Sequence, residues 1–341
     1  MTSIVASAPG KLVLLGEYAV LEGAPALVLA VDRRARATLA PATGDAWEIV
    51  SPTLGMEARL RIDSEGTASP DAAPTALAWV ATLFGQFRQG AQWPPCRVEL
   101  DSDAFHVEHA GKLAKLGLGS SAALTVALLG ALHALAQRPA PTLDECVRAH
   151  RAIQHGHGSG IDIAASFSGG LLRYRLDGGA THTVPATLPE SLHWCCVYSG
   201  RPVSTSAMLA TVAGWRERDP AAFAHCMHEL ATISSRGVDA MAANDAATFL
   251  SCLHDYATSL ARLGEAAGAD IASREHRAIA AIAADCGCVY KSCGAGGGDI
   301  GVTFAVEDTR LRDFSARALR AGFPVIGLEA DPTGLEVVSN V

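Results

Sequence analysis

Between residues 3 and 40 short apolar runs alternate with glycine-punctuated turns: SIVAS, then KLVLLGEYAVLEGAPALVLAV. Strands and hairpins broken at Gly10, Gly16 and Gly23 are predicted there. Apolar positions at helical spacing predict helices over 72–89 and 120–136, and Thr142-Leu-Asp-Glu145 has the form of a capping box, which starts a helix over 142–155. GLLRYR (170–175) and LHWCCVY (192–198) predict strands. Helical patterns then fill 205–216, 220–241, 245–265 and 272–286, followed by strand VYKS, a glycine cluster and strand IGVTFAV. A helix over 307–320 and strands near 323–328 and 334–338 end the chain. The change in character near 190–205 predicts two units, 1–190 and 191–341, with α+β content in both.

At 341 residues the chain is long enough for about two domains of roughly 150 residues. Lys+Arg of 27 against Asp+Glu of 35 leaves a net charge of −8, which argues against gripping nucleic-acid phosphates or an anionic membrane. With 49% hydrophobic and 18% charged residues, disorder is excluded. The longest charge-free run, between Lys115 and Arg138, opens with GLGSS and leaves too short an apolar helix for a bilayer. No signal peptide is read in MTSIVASAPGK, and a cytoplasmic protein is expected. The nine cysteines are odd in number and form no CxxC pair, so reduced thiols are expected rather than a disulfide framework or a zinc site.

Candidate chemistry concentrates in four segments. The first is Ala8-Pro9-Gly10-Lys11-Leu12, running into Gly16-Glu17-Tyr18. The second, Lys115-Leu116-Gly117-Leu118-Gly119-Ser120-Ser121-Ala122-Ala123, opens a helix; its glycines let backbone N–H groups approach an anion at the positive end of the helix dipole. Walker A is absent, and Gly117-x-Gly119-x-x-Ala122 lacks the early βαβ unit of a dinucleotide fold. The third, Lys291-Ser292-Cys293 followed by GAGGG (294–298) and Asp299, carries more glycine than a hairpin turn needs. The fourth places Asp162 after the turn GHGSG (156–160), as a functional carboxylate or a helix cap. His155 and His157 have no metal-ligand spacing and read as loop histidines.

In order and spacing, APGKLVLLGEY, KLGLGSSAAL and KSCGAGGGD resemble the three motifs of the GHMP kinase superfamily, spanning residues 8–301. GEYAVLEG with Tyr18, DSDAF (101–105), Lys115 ahead of GLGSSAA, GSGID (158–162) and SGRPVST (199–205) are similar to its phosphomevalonate kinase branch. The resemblance implies an α+β fold of two domains, one like ribosomal protein S5 domain 2 and one ferredoxin-like, with the active site in the cleft between them. It implies transfer of the ATP γ-phosphoryl group to 5-phosphomevalonate, giving the 5-diphosphate and ADP, with Mg²⁺. Lys115 and Gly117 to Ala122, with Leu118, Gly119 and Ser120, then hold the nucleotide; Ser121 ligates magnesium; Lys11 and Asp162 are the catalytic pair. Tyr18, Ser159, Arg201, Ser204, Thr205, Gly294, Ala295 and Gly296 face the acceptor, with Lys11, Lys115 and Arg151 as further cations. Arg151 departs from mevalonate kinases, which carry a magnesium-binding Glu there; a cation in its place repels magnesium and attracts phosphate. Arg173 and Arg175 share one strand face and stand as acceptor-site or solubilising residues. Alternatives are a hydroxyl acceptor (mevalonate or a sugar), a silent GHMP-like binding protein, and a dinucleotide-dependent oxidoreductase. A monomer or homodimer is expected.

Overall fold

The computed structural model describes residues 3–42, 44–62, 68–70, 77–87, 95–154 and 156–339. Strands β1 (Ile4–Leu15) and β2 (Ala26–Pro41) run antiparallel, joined through a 3-10 turn at Ala19–Glu22. Their register shifts between Pro9 and Gly10. This irregularity has a local cause. A side chain at position 10 would meet the Phe105 ring at 2.9 Å and the Leu118 carbonyl at 3.0 Å, so glycine lets another segment close onto the strand just before Lys11.

One edge of β2 carries β1; the other carries β9 (Leu171–Asp177) at residues 26–29 and β6 (Cys96–Asp101) at residues 36–41. Outside these lie β10 (Ala180–Ala186), β3 (Trp47–Ser51), β4 (Met56–Ile62) and β5 (Ala68–Pro70). The last strand of the chain, here β15 (Glu336–Ser339), completes this sheet by pairing with β1. Arg34 holds the returning tail, with Nη1 2.7 Å from Asp331 Oδ2 and Nη2 3.0 Å from Glu336 Oε2. A small ribbon of β7 (His106–His109) and β8 (Lys112–Lys115) leads into the glycine loop.

Helices α1 (Ala78–Phe87), α2 (Ser120–Leu135), α3 (Leu143–Ile153) and α4 (Ile161–Ser168) accompany this sheet. Helix α2 is buried on nearly every side, which explains the charge-free run: it is a core helix rather than a surface one. The capping box at α3 forms as expected, Thr142 N–H donating to Glu145 Oε2 at 2.7 Å. Asp162, by contrast, does not cap a helix. Gly160 is the N-cap of α4, and Asp162 stands inside the first turn with its carboxylate turned elsewhere.

A second sheet has the order β12 (Val289–Ser292), β13 (Ile300–Ala305), β11 (His193–Tyr198), β14 (Val325–Ile326), all antiparallel. Helices α5 (Thr205–Arg218), α6 (Pro220–Ala242), α7 (Ala246–Ala267) and α8 (Arg274–Asp285) intervene between β11 and β12, and α9 (Asp308–Arg320) between β13 and β14. By chain position this is the 4-1-3-2 strand order of a ferredoxin-like unit, so the α+β fold is as expected. The strand anticipated near 323–328 shrinks to two residues, and the terminal one begins at Glu336 rather than 334. The helix anticipated over 72–89 forms at Ala78–Phe87; residues 72–76, 88 and 89, like His155, lie outside the described residues. Strands β3 to β8 carried no expectation. Among the described residues no helix is long and apolar enough to cross a membrane, and no disulfide joins any of the cysteines.

Candidate active site

Lys11 sits just past the irregularity in β1 and is buried at 7% exposure. Its backbone N–H donates to Leu118 O at 2.9 Å, so the glycine loop docks directly on the strand that carries the lysine. Leu116 and Leu118 are fully buried and anchor the loop, while Gly117 and Gly119 between and after them take φ of +75° and +80°. Only glycine fits at 119 on a second ground. A Cβ there would lie 3.0 Å from Lys11 Cε and 3.7 Å from Asp162 Oδ2. The start of α2, the lysine and the carboxylate thus meet at one point.

Lys11 Nζ lies 3.5 Å from Asp162 Oδ1, with the Asp162 side chain 37% exposed. The ammonium is sheltered and the carboxylate faces the open side. Gly119 caps α2 and Gly160 caps α4, neither of which has a side chain to cap with. At α4 the first N–H, that of Ile161, donates to Ser159 Oγ at 3.4 Å, whereas the start of α2 leaves its backbone N–H donors at a positive dipole end for an anion. Ser120 is buried and Ser121 exposed, with Ser121 Oγ 3.4 Å from Nε2 of His150; Ala122 is buried behind them. Burial holds the His150 imidazole below its ordinary range, against the pull of Asp162, so it is neutral near pH 7.

Gly294 begins the third motif over Lys11: a Cβ there would be 4.0 Å from Nζ. Tyr18, at φ 61°, donates its hydroxyl to Ala295 O at 2.6 Å. Its phenol, buried at this point, therefore positions this loop. Gly296 packs instead on Ile271, whose Cγ2 would be 2.6 Å from a Cβ at that position. Beneath the loop, Glu17 and Lys291 form a fully buried ion pair between the first strand's exit and β12, and Tyr256 donates to Glu17 O at 2.7 Å. Removing one member leaves a buried charge alone, so Lys291→Met is expected to cost about 3–5 kcal/mol, measured by denaturant unfolding. An unchanged midpoint contradicts that reading.

The expected acceptor residues divide. Ser159 lies in the turn before α4, its carbonyl held by the Tyr174 hydroxyl. Arg151 gives its guanidinium to the carbonyls of Gly158 (3.2 Å), Gly179 (2.8 Å) and Ser159 (3.4 Å), so it braces that turn. Arg201 is exposed and pairs with Asp270 at 2.7 Å. Ser204 caps α5 by accepting from Ala207 N at 3.3 Å, and Thr205 is exposed beside it. Arg173 and Arg175 line a separate cleft of about 320 Å³ against α6, with Asp239 opposite. Lys115 stands at the solvent edge, yet desolvation, helped by Lys11 and opposed by Asp299, lowers its ammonium below the ordinary lysine range.

Asp299, His150, Glu17 and Lys291 carried no role in the sequence reading. Asp299, Glu17 and Lys291 adjoin the glycine motifs, which is the signal that marks them; nothing local marks His150.

The model of the GHMP kinases N terminal domain matches residues 78–170, which include the GLGSS loop and Asp162. A mevalonate kinase of Methanothermobacter thermautotrophicus is 30% identical over 243 residues, covering 70% of this chain and 71% of its own. The chain belongs to the GHMP kinase family. A phosphomevalonate kinase of Streptomyces sp. (strain CL190) is 29% identical over 339 residues, covering 88% of this chain and 89% of its own. The Streptococcus pneumoniae phosphomevalonate kinase, solved with phosphomevalonate and AMPPNP, superposes with a TM-score of 0.76 at 20% identity, over 96% of this chain and 99% of that one.

GHMP kinases imply magnesium beside the nucleotide. Among the described residues no group of three or more His, Cys, Asp or Glu side chains could hold a metal. The hydroxyl of Ser121 and the exposed carboxylate of Asp162 suit an ion that arrives on phosphate oxygens and keeps most of its waters, as magnesium does.

Proposed function

We propose that this GHMP-family kinase transfers the γ-phosphoryl group of ATP to a phosphate oxygen of 5-phosphomevalonate, releasing ADP. The observation that carries the phosphoryl-transfer reading is the meeting of Lys11, Asp162 and the uncapped start of α2, with Gly294 above. The acceptor is favoured by likeness to the Streptomyces phosphomevalonate kinase along 88% of this chain, against 70% for the mevalonate kinase of Methanothermobacter.

In this reading the first-turn N–H groups of α2, from the loop at Gly117 to Ala122, hold the nucleotide phosphates, with Lys115 at the rim. Lys11 lies between donor and acceptor and offsets charge on the transferring group. The bond from the γ-phosphorus to the β,γ-bridging oxygen breaks while one forms to the acceptor oxygen. An acceptor phosphate, with a second pKa of about 6, is largely ionised near neutrality and needs no base. Asp162 then keeps Lys11 aimed. Ser121 and Asp162 are the residues that would hold magnesium, which when bound would supply neutralisation of the triphosphate charge. Tyr18, Ser159, Arg201, Ser204, Thr205 and the loop at Gly294 to Gly296 form the acceptor side. The active cleft lies between units divided near residue 190, with β15 returning to the first.

A coupled ADP-release assay with phosphomevalonate, mevalonate and a sugar panel tests this. Turnover is expected on phosphomevalonate at a kcat/KM at least about tenfold above mevalonate, a discrimination of roughly 1.4 kcal/mol. Turnover only on an unphosphorylated alcohol overturns the acceptor assignment and favours mevalonate or a sugar.

A further inference from the structure

Asp299 joins two loops that belong to different sheets. Its backbone sits at φ 55°, in the left-handed region. Its N–H donates to Arg201 O at 2.7 Å, its carbonyl accepts from Ser199 N at 2.9 Å, and its Oδ1 accepts from Val203 N at 3.3 Å. Those contacts fix the 199–203 segment that leads into α5. The other face of the same carboxylate lies on the phosphate loop: a Cβ at Gly117 would come within 2.5 Å of Asp299 Oδ2. The charged and titratable groups that bear on this side chain are Lys115 from β8, Lys11 from β1 and Tyr198 from β11. Arg201, although adjacent, turns its guanidinium to Asp270. Burial pushes the Asp299 carboxyl up to about 6, against the lowering pull of the Val203 N–H, Lys115 and Lys11. At pH 7 it is therefore mostly charged.

We propose that Asp299 is a positioning residue that ties the phosphate loop at Gly117 to the 199–203 loop, so that filling the nucleotide site raises affinity for the acceptor and the reverse. The inference rests on the phosphoryl-transfer reading above. Neither loop can shift at this point without disturbing the carboxylate it shares with the other. A ligand that orders one loop therefore lowers the cost of ordering its neighbour, and the effect is reciprocal by linkage.

Calorimetric titration with Mg²⁺–AMPPNP, with and without phosphomevalonate, tests it without turnover. In the wild type the second ligand is expected to tighten the first by at least about 5-fold. In Asp299→Asn, which keeps the size, the acceptor oxygen and a residue tolerant of left-handed backbone, that factor falls to under about 2-fold while the melting temperature stays within a few degrees. Asp299→Gly, which removes the carboxylate and tolerates the left-handed backbone, is the second variant: it too loses the coupling. A merely structural role would lower the melting temperature and leave the factor intact. A wild type that binds both ligands independently, or variants that keep the wild-type factor, overturn the inference and leave the kinase reading standing. A wild type that binds no nucleotide overturns both.

Discussion

Lys11→Met lowers kcat by about 10²–10³-fold with the fold intact, the loss that follows removal of one preorganised donor to developing charge. The lysine stem is buried and the methionine replaces its apolar volume, so packing against Gly119 survives. The partner left behind is Asp162, whose side chain is 37% exposed and stays hydrated. Breaking this pair therefore costs little stability, unlike breaking the sealed pair of Glu17 and Lys291. Steady-state kinetics together with a melting curve check the claim. A variant with wild-type kcat removes Lys11 from the reaction, and one that unfolds shows the lysine to be structural.

Asp162→Asn is the second large effect, and its size depends on the acceptor. A hydroxyl acceptor must lose a proton, and a missing base costs about 10²–10⁴-fold. A phosphate acceptor needs only the aim and charge balance that the carboxylate gives Lys11, so the loss is at the lower end, about 10²-fold. Measuring kcat for the variant on phosphomevalonate and on mevalonate reads both at once. The larger deficit is expected on mevalonate; equal deficits contradict the distinction between a base for a hydroxyl and an orienting carboxylate for a phosphate, and unchanged turnover removes Asp162 from the mechanism.

Much of this site was legible in the chain because glycine spacing reports backbone geometry. Gly117 and Gly119 mark a left-handed approach that a side chain would block, and the apolar stretch after them reads directly as the buried helix α2. The capping box at Thr142 and Glu145 likewise depends only on neighbours in sequence. What remained hidden is long-range. Arg151 looks like a free cation until the carbonyls of Gly158, Ser159 and Gly179 are seen to surround it. The pairing of β15 with β1 is set by Arg34, Asp331 and Glu336, far apart in the chain. Asp162 read as a functional carboxylate or a helix cap, and only tertiary packing separates the two, with Gly160 at the cap and Lys11 brought to the carboxylate. Asp299 ends a glycine run that draws the reading to itself, and the link between Gly117 and Val203 appears only when both sheets are in place.

The most direct test is a crystal structure of the chain with Mg²⁺–AMPPNP and phosphomevalonate. The triphosphate tail is expected against the backbone N–H groups at residues 117–121, with Lys11 Nζ between the γ-phosphate and the acceptor phosphate. A triphosphate seated away from that turn, or a γ-phosphate out of reach of Lys11, contradicts the assignment of the site.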